Sequence, residues 1–317
     1  MKFQYSLIIP VYNRPNEMDE LLQSLTNQNG EIPFEVVVVE DGSSITSEMV
    51  ISKYSKNLNI QYYITENQGA GKSRNYGMQK AKADYFIILD SDCIIPENYL
   101  IEVNEALNSG FTDAFGGPDA AHNSFTPIQK AINYSMTSVL TTGGIRGKKK
   151  AVGKFQPRSF NFGISKKAFE KTAGFSDLKI GEDIDLTFRL WEAGFETQLI
   201  DRAFVYHKRR ATFQQFYKQT NAFGMARPIL NKKHPGSAKI TYWFPSVFYL
   251  SFLAAFSIAL ATEITFFIQL FFLYFFLVLV HASILNKNLK VGGLSVVSTA
   301  IQFYGYGTGF LTSYFRK

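Results

Sequence analysis

The sequence predicts an α/β domain followed by an apolar α-helical region, and two observations lead to this prediction. Apolar runs of strand length alternate with segments of helical spacing over residues 1–118, a pattern typical of a parallel sheet with helices on both faces. Two long apolar segments follow near the C-terminus. The chain of 317 residues is long enough for one full-sized domain and for this additional region.

Four apolar runs supply the predicted strands. They read SLIIPV at 6–11, EVVVVE at 35–40, IQYYIT at 60–65 and YFIILD at 85–90. Their apolar residues are nearly continuous, as expected where both faces of a sheet are covered. Helical spacing occurs between them, at residues 16–26, 44–55 and 70–81. The first run is too short for a signal peptide, so none is expected, and ligands are expected beyond the carboxyl ends of the strands.

Two carboxylates follow the fourth strand, at Asp90 and Asp92. Residues two apart in an extended segment point the same way, and carboxylates that close repel each other unless a cation lies beside them. Oxygen ligands of this kind suit Mg²⁺ or Mn²⁺. We therefore expect a divalent metal at this strand end, where it would hold a diphosphate. The alternative is an exposed acidic turn.

Asp41 and the loop NQGAGKSRNYG at 67–77 lie at two further strand ends. The Asp41 carboxylate could accept hydrogen bonds from a base or a ribose, although Asp-Gly is also a common turn signal. The loop lacks the spacing of a P-loop or of a dinucleotide fold. It could still bring Lys72, Arg74 and backbone N–H groups to an anion at a helix start, and glycines used only for packing are the alternative.

The net charge of +7 is concentrated in clusters at 148–150, 208–210 and 232–233. Such clusters could suit nucleic acid, anionic lipid or phosphorylated substrates. Because the last two precede the apolar tail, they favour a membrane surface, and the alternative is that they are merely solvated faces. They are not interleaved with exposed aromatics along a groove, so we expect no nucleic-acid partner. The single cysteine, Cys93, excludes an internal disulfide and is expected to be a small buried hydrophobe.

Residues 236–317 are predicted to form a membrane region. Two segments, about 242–262 and 264–285, each match the roughly 20 residues that cross a hydrocarbon core. Basic residues flank the pair on both outer sides, so the positive-inside rule places the N-terminal domain on the cytosolic side of the cytoplasmic membrane. A third apolar stretch, about 294–315, is either another span or, as we prefer, an interfacial helix or re-entrant segment in contact with membrane lipids.

The ordered motifs resemble a known family. PVYNRP, EDGSS, ENQGAGKSRNYG and the D-S-D after YFIIL resemble the nucleotide-binding half of family 2 glycosyltransferases, which have the Rossmann-like GT-A fold. Residues 158–177 are similar to the family segment that precedes the catalytic acids, and GEDIDLTFRLWEAGFE at 181–196 resembles its "ED" helix. The resemblance implies a GT-A domain over 1–235, with a nucleotide-binding half at 1–118 and an acceptor half with an interface helix at 119–235.

The resemblance also implies roles for individual residues. Asp183 would be the general base that deprotonates the acceptor hydroxyl, with Glu182 beside it, in a reaction that inverts the anomeric carbon. Asp41 would meet the nucleotide base. The implied metal, Mn²⁺ or Mg²⁺, would be held by Asp92, His207 and Asp90, with contact to the ribose as the alternative role of Asp90. The full set of donor-binding candidates is Pro10, Tyr12, Asn13, Asp41, Gly71, Arg74, Asp90 and Asp92.

Several of these residues keep a second interpretation. Glu182 and Asp183 could instead be acids that stabilise a helix N-terminus, and His207 could be a structural histidine at a strand end. Arg209 and Arg210 are candidates for phosphate or lipid contacts, because guanidinium groups bind pyrophosphate well.

We therefore expect a membrane-anchored enzyme that moves one sugar from a nucleotide sugar, in the first place a UDP-sugar, to a polyprenyl-linked glycan in cell-surface polysaccharide or glycoconjugate synthesis. Gln215 is not followed by the Q-x-x-R-W pattern of processive family members, which argues against a polymerase. Residues 141–155 are expected to form a loop that closes over a substrate. The alternatives are an enzyme acting on polyprenyl phosphate itself and a non-catalytic sugar-nucleotide-binding membrane scaffold.

Overall fold

The computed structural model describes residues 4–120, 122, 124–143 and 155–316. These residues form two compact units. The first contains the described residues up to 122 and those of 149–208, and the second contains those of 123–148 and from 209 onwards. The boundary expected at residue 235 therefore lies inside the second unit. Residues 144–154, which hold most of the expected substrate loop and the basic cluster at 148–150, lie outside the described residues.

The secondary structure alternates between strands and helices before it becomes helical. The elements up to residue 142 are β1 Tyr5–Val11, α1 Pro15–Thr26, β2 Phe34–Asp41, α2 Glu48–Tyr54, β3 Ile60–Thr65, α3 Ala70–Lys80, β4 Tyr85–Leu89, β5 Cys93–Ile94, α4 Tyr99–Ser109, β6 Ala114–Gly116, β7 Asp119–Ala120, α5 Pro127–Thr137 and α6 Val139–Thr142. The later elements are β8 Asn161–Ser165, α7 Lys166–Thr172, α8 Glu182–Glu192, β9 Thr197–Leu199, β10 Val205–His207, α9 Phe213–Lys233, α10 Phe244–Thr262, α11 Phe266–Asn286 and α12 Leu289–Phe315.

The first unit is built on a seven-stranded sheet in the order β3-β2-β1-β4-β8-β6-β9. The four strands expected from the sequence are β1 to β4, and each pairs in parallel with its neighbour. Strand β8 is antiparallel to both β4 and β6. The α/β class is confirmed, and the sheet is mixed where a purely parallel one was expected. Neighbouring parallel strands need a long crossover connection, usually a helix. Strand β8 comes after the repeating β-α pattern has ended, so the pattern does not predict a parallel direction for it.

Both faces of this sheet are buried, which explains the continuous apolar runs. Leu7 and Ile9 of β1 belong to one hydrophobic cluster, together with residues of α1 such as Leu21. The alternate residue Ile8 belongs to the cluster on the opposite face, beside Phe86 of β4. Successive strand residues point to opposite faces, and each fully buried aliphatic side chain contributes about 1.5–3 kcal/mol.

The parallel direction of β1, β2 and β4 brings their carboxyl ends to one edge. Asn13 after β1, Asp41 at the end of β2 and Asp92 after β4 therefore lie at the same edge. A second sheet of three short strands, in the order β5-β10-β7, adds to this edge. In it β10 runs antiparallel to β5 with His207 opposite Cys93, so the residue next to Asp92 is paired with a residue 114 positions later in the numbering.

The second unit is entirely helical within the described residues. Two of its helices are long and apolar enough to cross a membrane, residues 240–262 and α11. They coincide with the segments expected from the sequence, and Glu263 takes a left-handed conformation (φ 59°) in the turn between them. Many of their large apolar side chains are exposed, among them Val247, Leu250, Phe256, Leu260, Phe267, Leu270, Phe272, Phe276 and Ile284. A soluble monomer rarely exposes so continuous an apolar surface.

Helix α12 extends the third apolar stretch by five residues at its N-terminus and packs against α9. Glycines make this packing close, because a Cβ at Gly305 would lie 2.2 Å from Thr220 Oγ1 and one at Gly309 would lie 2.1 Å from the Asn221 carbonyl oxygen. Asn221 Nδ2 donates to the Gly305 carbonyl oxygen at 3.2 Å. The sequence leaves open whether this third apolar stretch is a span or an interfacial helix. In the structure it lies in one helix of a tightly packed pair.

Candidate active site

Asp92 lies at the centre of the sheet edge and is buried. Its Oδ1 is 3.1 Å from His207 Nε2, and its Oδ2 accepts a hydrogen bond from Arg14 Nη1. The Lys208 backbone N–H donates to the Asp92 carbonyl oxygen at 3.1 Å. Phe160 stacks on the His207 ring with the centroids 4.8 Å apart. Strand β10 and the aromatic ring therefore fix the imidazole beside the carboxylate.

Burial by itself would raise the pKa of Asp92, because a carboxylate loses its hydration in the interior. The interactions with His207 and Arg14 outweigh that effect and hold the pKa of Asp92 well below its usual range. Burial likewise acts to lower the pKa of Arg14, and the charge of Asp92 raises it instead. The pair is therefore ionised at neutral pH.

Asp90 is linked to helix α8 by one buried arginine. Arg74, whose side chain is 5% exposed, donates from Nη2 to Asp90 Oδ1 at 2.8 Å and from Nη1 to Glu182 Oε1 at 2.9 Å. The Phe175 ring lies 5.2 Å from the guanidinium carbon. One cation thus links the residue after β4 to the first residue of α8. Burial raises the pKa of Glu182, and the neighbouring Asp183 adds to that rise although Arg74 opposes it.

Asp183 lies in the first turn of α8, which begins after Gly181 in a left-handed conformation (φ 79°). Asp183 Oδ1 accepts from the Ile184 N–H at 2.8 Å, and Oδ2 accepts from the Ser159 N–H at 3.4 Å. Arg158 Nη1 lies 3.8 Å from Oδ2. Two backbone N–H groups and one arginine therefore hold the carboxylate in place.

Asp41 organises the glycine-rich loop. Its Oδ1 accepts from the Gln68 N–H and from Ser73 Oγ, both at 2.9 Å, and its Oδ2 accepts from the Gly69 N–H at 3.0 Å. Gly71 follows on α3, where an added Cβ would lie 3.5 Å from Phe175 Cβ. The glycine-rich loop, which could bind an anion, is thus held in place by Asp41.

Asn13 joins the first two strand ends. It adopts a left-handed conformation (φ 53°), its N–H donates to Ser43 Oγ at 2.7 Å, and its Oδ1 accepts from the Ser44 N–H at 2.8 Å. Tyr12 beside it is 51% exposed, and Pro10 is buried in β1. These three candidates therefore line or support one edge, with the Tyr12 ring available to a ligand.

Two further candidates belong to the second unit. Arg209 is buried, and its Nε and Nη2 donate to Asn133 Oδ1 at 3.1 and 2.9 Å. These donors hold α5 and are committed within the protein, unlike those of an exposed phosphate-binding arginine. Arg210 is partly exposed.

A divalent cation fits Asp92 and His207. One ligand atom from each of Asp92, Cys93 and His207 lies within 4.8 Å of the other two, and carboxylate oxygen with neutral imidazole is a competent donor set. Burial raises the pKa of the Cys93 thiol well above its usual range, so it stays protonated, and Sγ lies 3.6 Å from the Phe160 carbonyl oxygen. The third expected ligand, Asp90, has its Oδ1 on Arg74 instead.

Three residues of this site had no role in the sequence interpretation: Arg14, Arg158 and Ser159. Arg14 stands inside the motif PVYNRP, and its partner Asp92 is 78 positions away. Ser159 contacts Asp183 across 24 positions. Spacing along the chain carries no signal for such pairs, since they depend on the way strands and loops meet.

Solved structures with a similar fold include the mannosyltransferase PcManGT from Pyrobaculum calidifontis in complex with GDP-Man and Mn²⁺, with a TM-score of 0.65 and 14% identity, covering 94% of this chain and 87% of that one. Another is S. aureus TarS 1-349 in complex with UDP-GlcNAc, with a TM-score of 0.51 and 19% identity, covering 98% and 91%. At these identities the likeness shows the fold, which is GT-A.

Sequence comparison gives the family. An uncharacterized glycosyltransferase of Haemophilus influenzae is 31% identical over 222 residues, which are 65% of this chain and 70% of that protein. Other relatives are much longer, and the matched stretch spans 14% of one and 9% of another. The family model described as glycosyl transferase family 2 matches residues 6–173, more than half of the chain. The chain therefore belongs to glycosyl transferase family 2.

Proposed function

We propose that this chain is an inverting, metal-dependent glycosyltransferase that moves one sugar from a nucleotide sugar to an acceptor at a membrane surface. One observation carries the proposal: Arg74 bridges Asp90 and Glu182 at 2.8 and 2.9 Å, while Asp92 meets His207 beside them at 3.1 Å. A strand-end acid pair and the acids of α8 therefore form one site. A structural role alone would not require so many buried charges, because each costs desolvation.

The donor is a nucleotide sugar whose diphosphate lies at the Asp92 end of the site. Asp92 and His207 would hold Mn²⁺ or Mg²⁺, which when bound supplies positive charge to the diphosphate leaving group. The complexes of PcManGT with GDP-Man and Mn²⁺ and of TarS with UDP-GlcNAc support this choice of ligand class. We expect a UDP-sugar, with Tyr12 and the Asp41 loop beside the nucleotide base.

Asp183 acts as the general base. Its carboxylate takes the proton of the acceptor hydroxyl while that oxygen bonds to the anomeric carbon, and the bond from this carbon to the diphosphate oxygen breaks. Attack opposite to the leaving group inverts the anomeric configuration. Positioned bases of this kind contribute about 10²–10⁴ in rate. Ser159 and Arg158 orient the carboxylate from one side.

The acceptor is a polyprenyl-linked saccharide. The apolar helices α10 and α11 support this choice, since a lipid-linked hydroxyl is confined to the interface where such an anchor holds the enzyme. Polyprenyl phosphate itself is the second candidate. In either case the catalytic unit faces the cytosol, because basic residues flank the helix pair on both outer sides.

The test is nucleotide release by the detergent-solubilised chain from UDP-, GDP- and TDP-sugars, with Mn²⁺, Mg²⁺ or EDTA. We expect release from one donor that EDTA abolishes and that Asp92→Asn reduces at least a hundredfold. The matched control is Asp19→Asn, an exposed aspartate paired with Lys53, which should match wild type. Equal release in EDTA would overturn the metal dependence. Nucleotide binding without release from any donor, even with polyprenyl acceptors added, would favour the scaffold.

A further inference from the structure

Arg14 is the second arginine of the site, and no role has been assigned to it. It is the N-cap residue of α1, three positions after the last residue of β1. Its Nη1 pairs with Asp92 Oδ2, and its side chain is 37% exposed while that of Asp92 is 8% exposed. The ion pair thus joins a partly exposed cation to a buried carboxylate.

Arg74 and Arg14 are held in different ways. Arg74 is 5% exposed and bonds to two carboxylates at once, so its movement would leave two buried acids without their cation. Arg14 bonds to one carboxylate among the described residues and has solvent on its other side. The cost of leaving Asp92 is small for Arg14 when another cation takes its place. Arg14 is therefore freer than Arg74 to change partner.

Charge balance indicates the new partner. Asp92 and Arg14 now sum to zero. A divalent cation adds two positive charges and a nucleotide-sugar diphosphate adds two negative ones, so the sum returns to zero when Arg14 stays in the site beside the diphosphate. The planar guanidinium is well suited to that ligand, since it donates two parallel N–H bonds to phosphate oxygens.

We propose that Arg14 is a donor-binding residue that pairs with Asp92 while the site is empty and moves to the donor diphosphate when Asp92 takes up a divalent cation. The inference rests on the proposed function. It assigns two opposite effects to one side chain, because Arg14 competes with the cation for Asp92 and then assists the donor.

The experiment compares wild type with Arg14→Met by isothermal titration, first with Mn²⁺ alone and then with UDP and GDP at saturating Mn²⁺. Loss of a partly exposed competitor should make Mn²⁺ binding about threefold tighter. Loss of the guanidinium and its paired N–H donors should make binding of the nucleoside diphosphate about tenfold weaker. Arg202→Met is the matched control, since Arg202 is 78% exposed and lies 3.8 Å from Glu102, and it should change neither affinity.

Arg14→Lys keeps the charge without the paired N–H donors, and it carries the test if Arg14→Met fails to fold by circular dichroism. It should bind Mn²⁺ like wild type and nucleotide more weakly. If Arg14→Met weakens both ligands, or leaves nucleotide binding unchanged, Arg14 only supports Asp92 and the inference is wrong. If wild type itself binds neither Mn²⁺ nor nucleotide, the proposed function is wrong. That outcome is distinct from a failure of the Arg14 inference, in which wild type binds both ligands.

Discussion

Arg74 links two parts of the site. It is buried between Asp90 and Glu182, and removing one member of a buried ionic set leaves the others charged without hydration. We predict that Arg74→Met lowers the free energy of unfolding by about 3 kcal/mol, measured as urea denaturation of the detergent-solubilised protein.

Lys53→Met is the control for this change, since Lys53 forms an exposed pair with Asp19, and exposed ion pairs contribute little to stability. Unchanged stability of Arg74→Met would show that the bridge from Asp90 to Glu182 does not stabilise the fold.

At the residue scale the sequence predicts which acids gather but not which cations meet them. Asp41, Asp90 and Asp92 could be placed at one edge because each follows a strand of a parallel sheet. Arg74 and Glu182 are 108 positions apart, so their contact depends on the position of α8, which no spacing rule gives. The paired carboxylates required a cation by elementary electrostatics, and here protein side chains supply it.

At the element scale, the glycines of α12 decide how closely it packs on α9. A Cβ at Gly309 would lie 2.1 Å from the Asn221 carbonyl oxygen, whereas one at Gly293 in the same helix would meet open space. We predict that Gly309→Ala destabilises the protein by about 2 kcal/mol through overpacking. Gly293→Ala should be neutral or stabilising by up to about 1 kcal/mol, because alanine favours helix.

Thermal unfolding of both variants in one detergent measures this difference. Equal midpoints would contradict the close approach of the two helices. The sequence shows the glycines of α12, but only the packed structure shows which of them face α9. The helix is also longer and more buried than the apolar stretch at 294–315 predicts. Strand β8 is similar, since its antiparallel pairing with β4 and β6 is not given by the β-α pattern of the sequence.

At the scale of the whole molecule, the chain joins an α/β unit to a helical unit with two helices apolar enough to cross a membrane. The predicted topology puts both chain ends in the cytosol and the turn at Glu263 outside. A reporter active only in the cytosol should therefore work after Lys317 and fail when inserted at Glu263. Activity at both positions would contradict the two spans, and activity at Glu263 alone would reverse their orientation.

The most direct test of the central claim is nucleotide release by Asp183→Asn, measured with the donor and metal that support turnover by wild type. Amide nitrogen cannot take the acceptor proton, so release should fall by at least about a hundredfold while donor affinity is retained. Asp177→Asn, at a side chain 84% exposed near Lys72, should keep wild-type release. If Asp183→Asn also keeps wild-type release, Asp183 is not the base and the proposed mechanism is wrong.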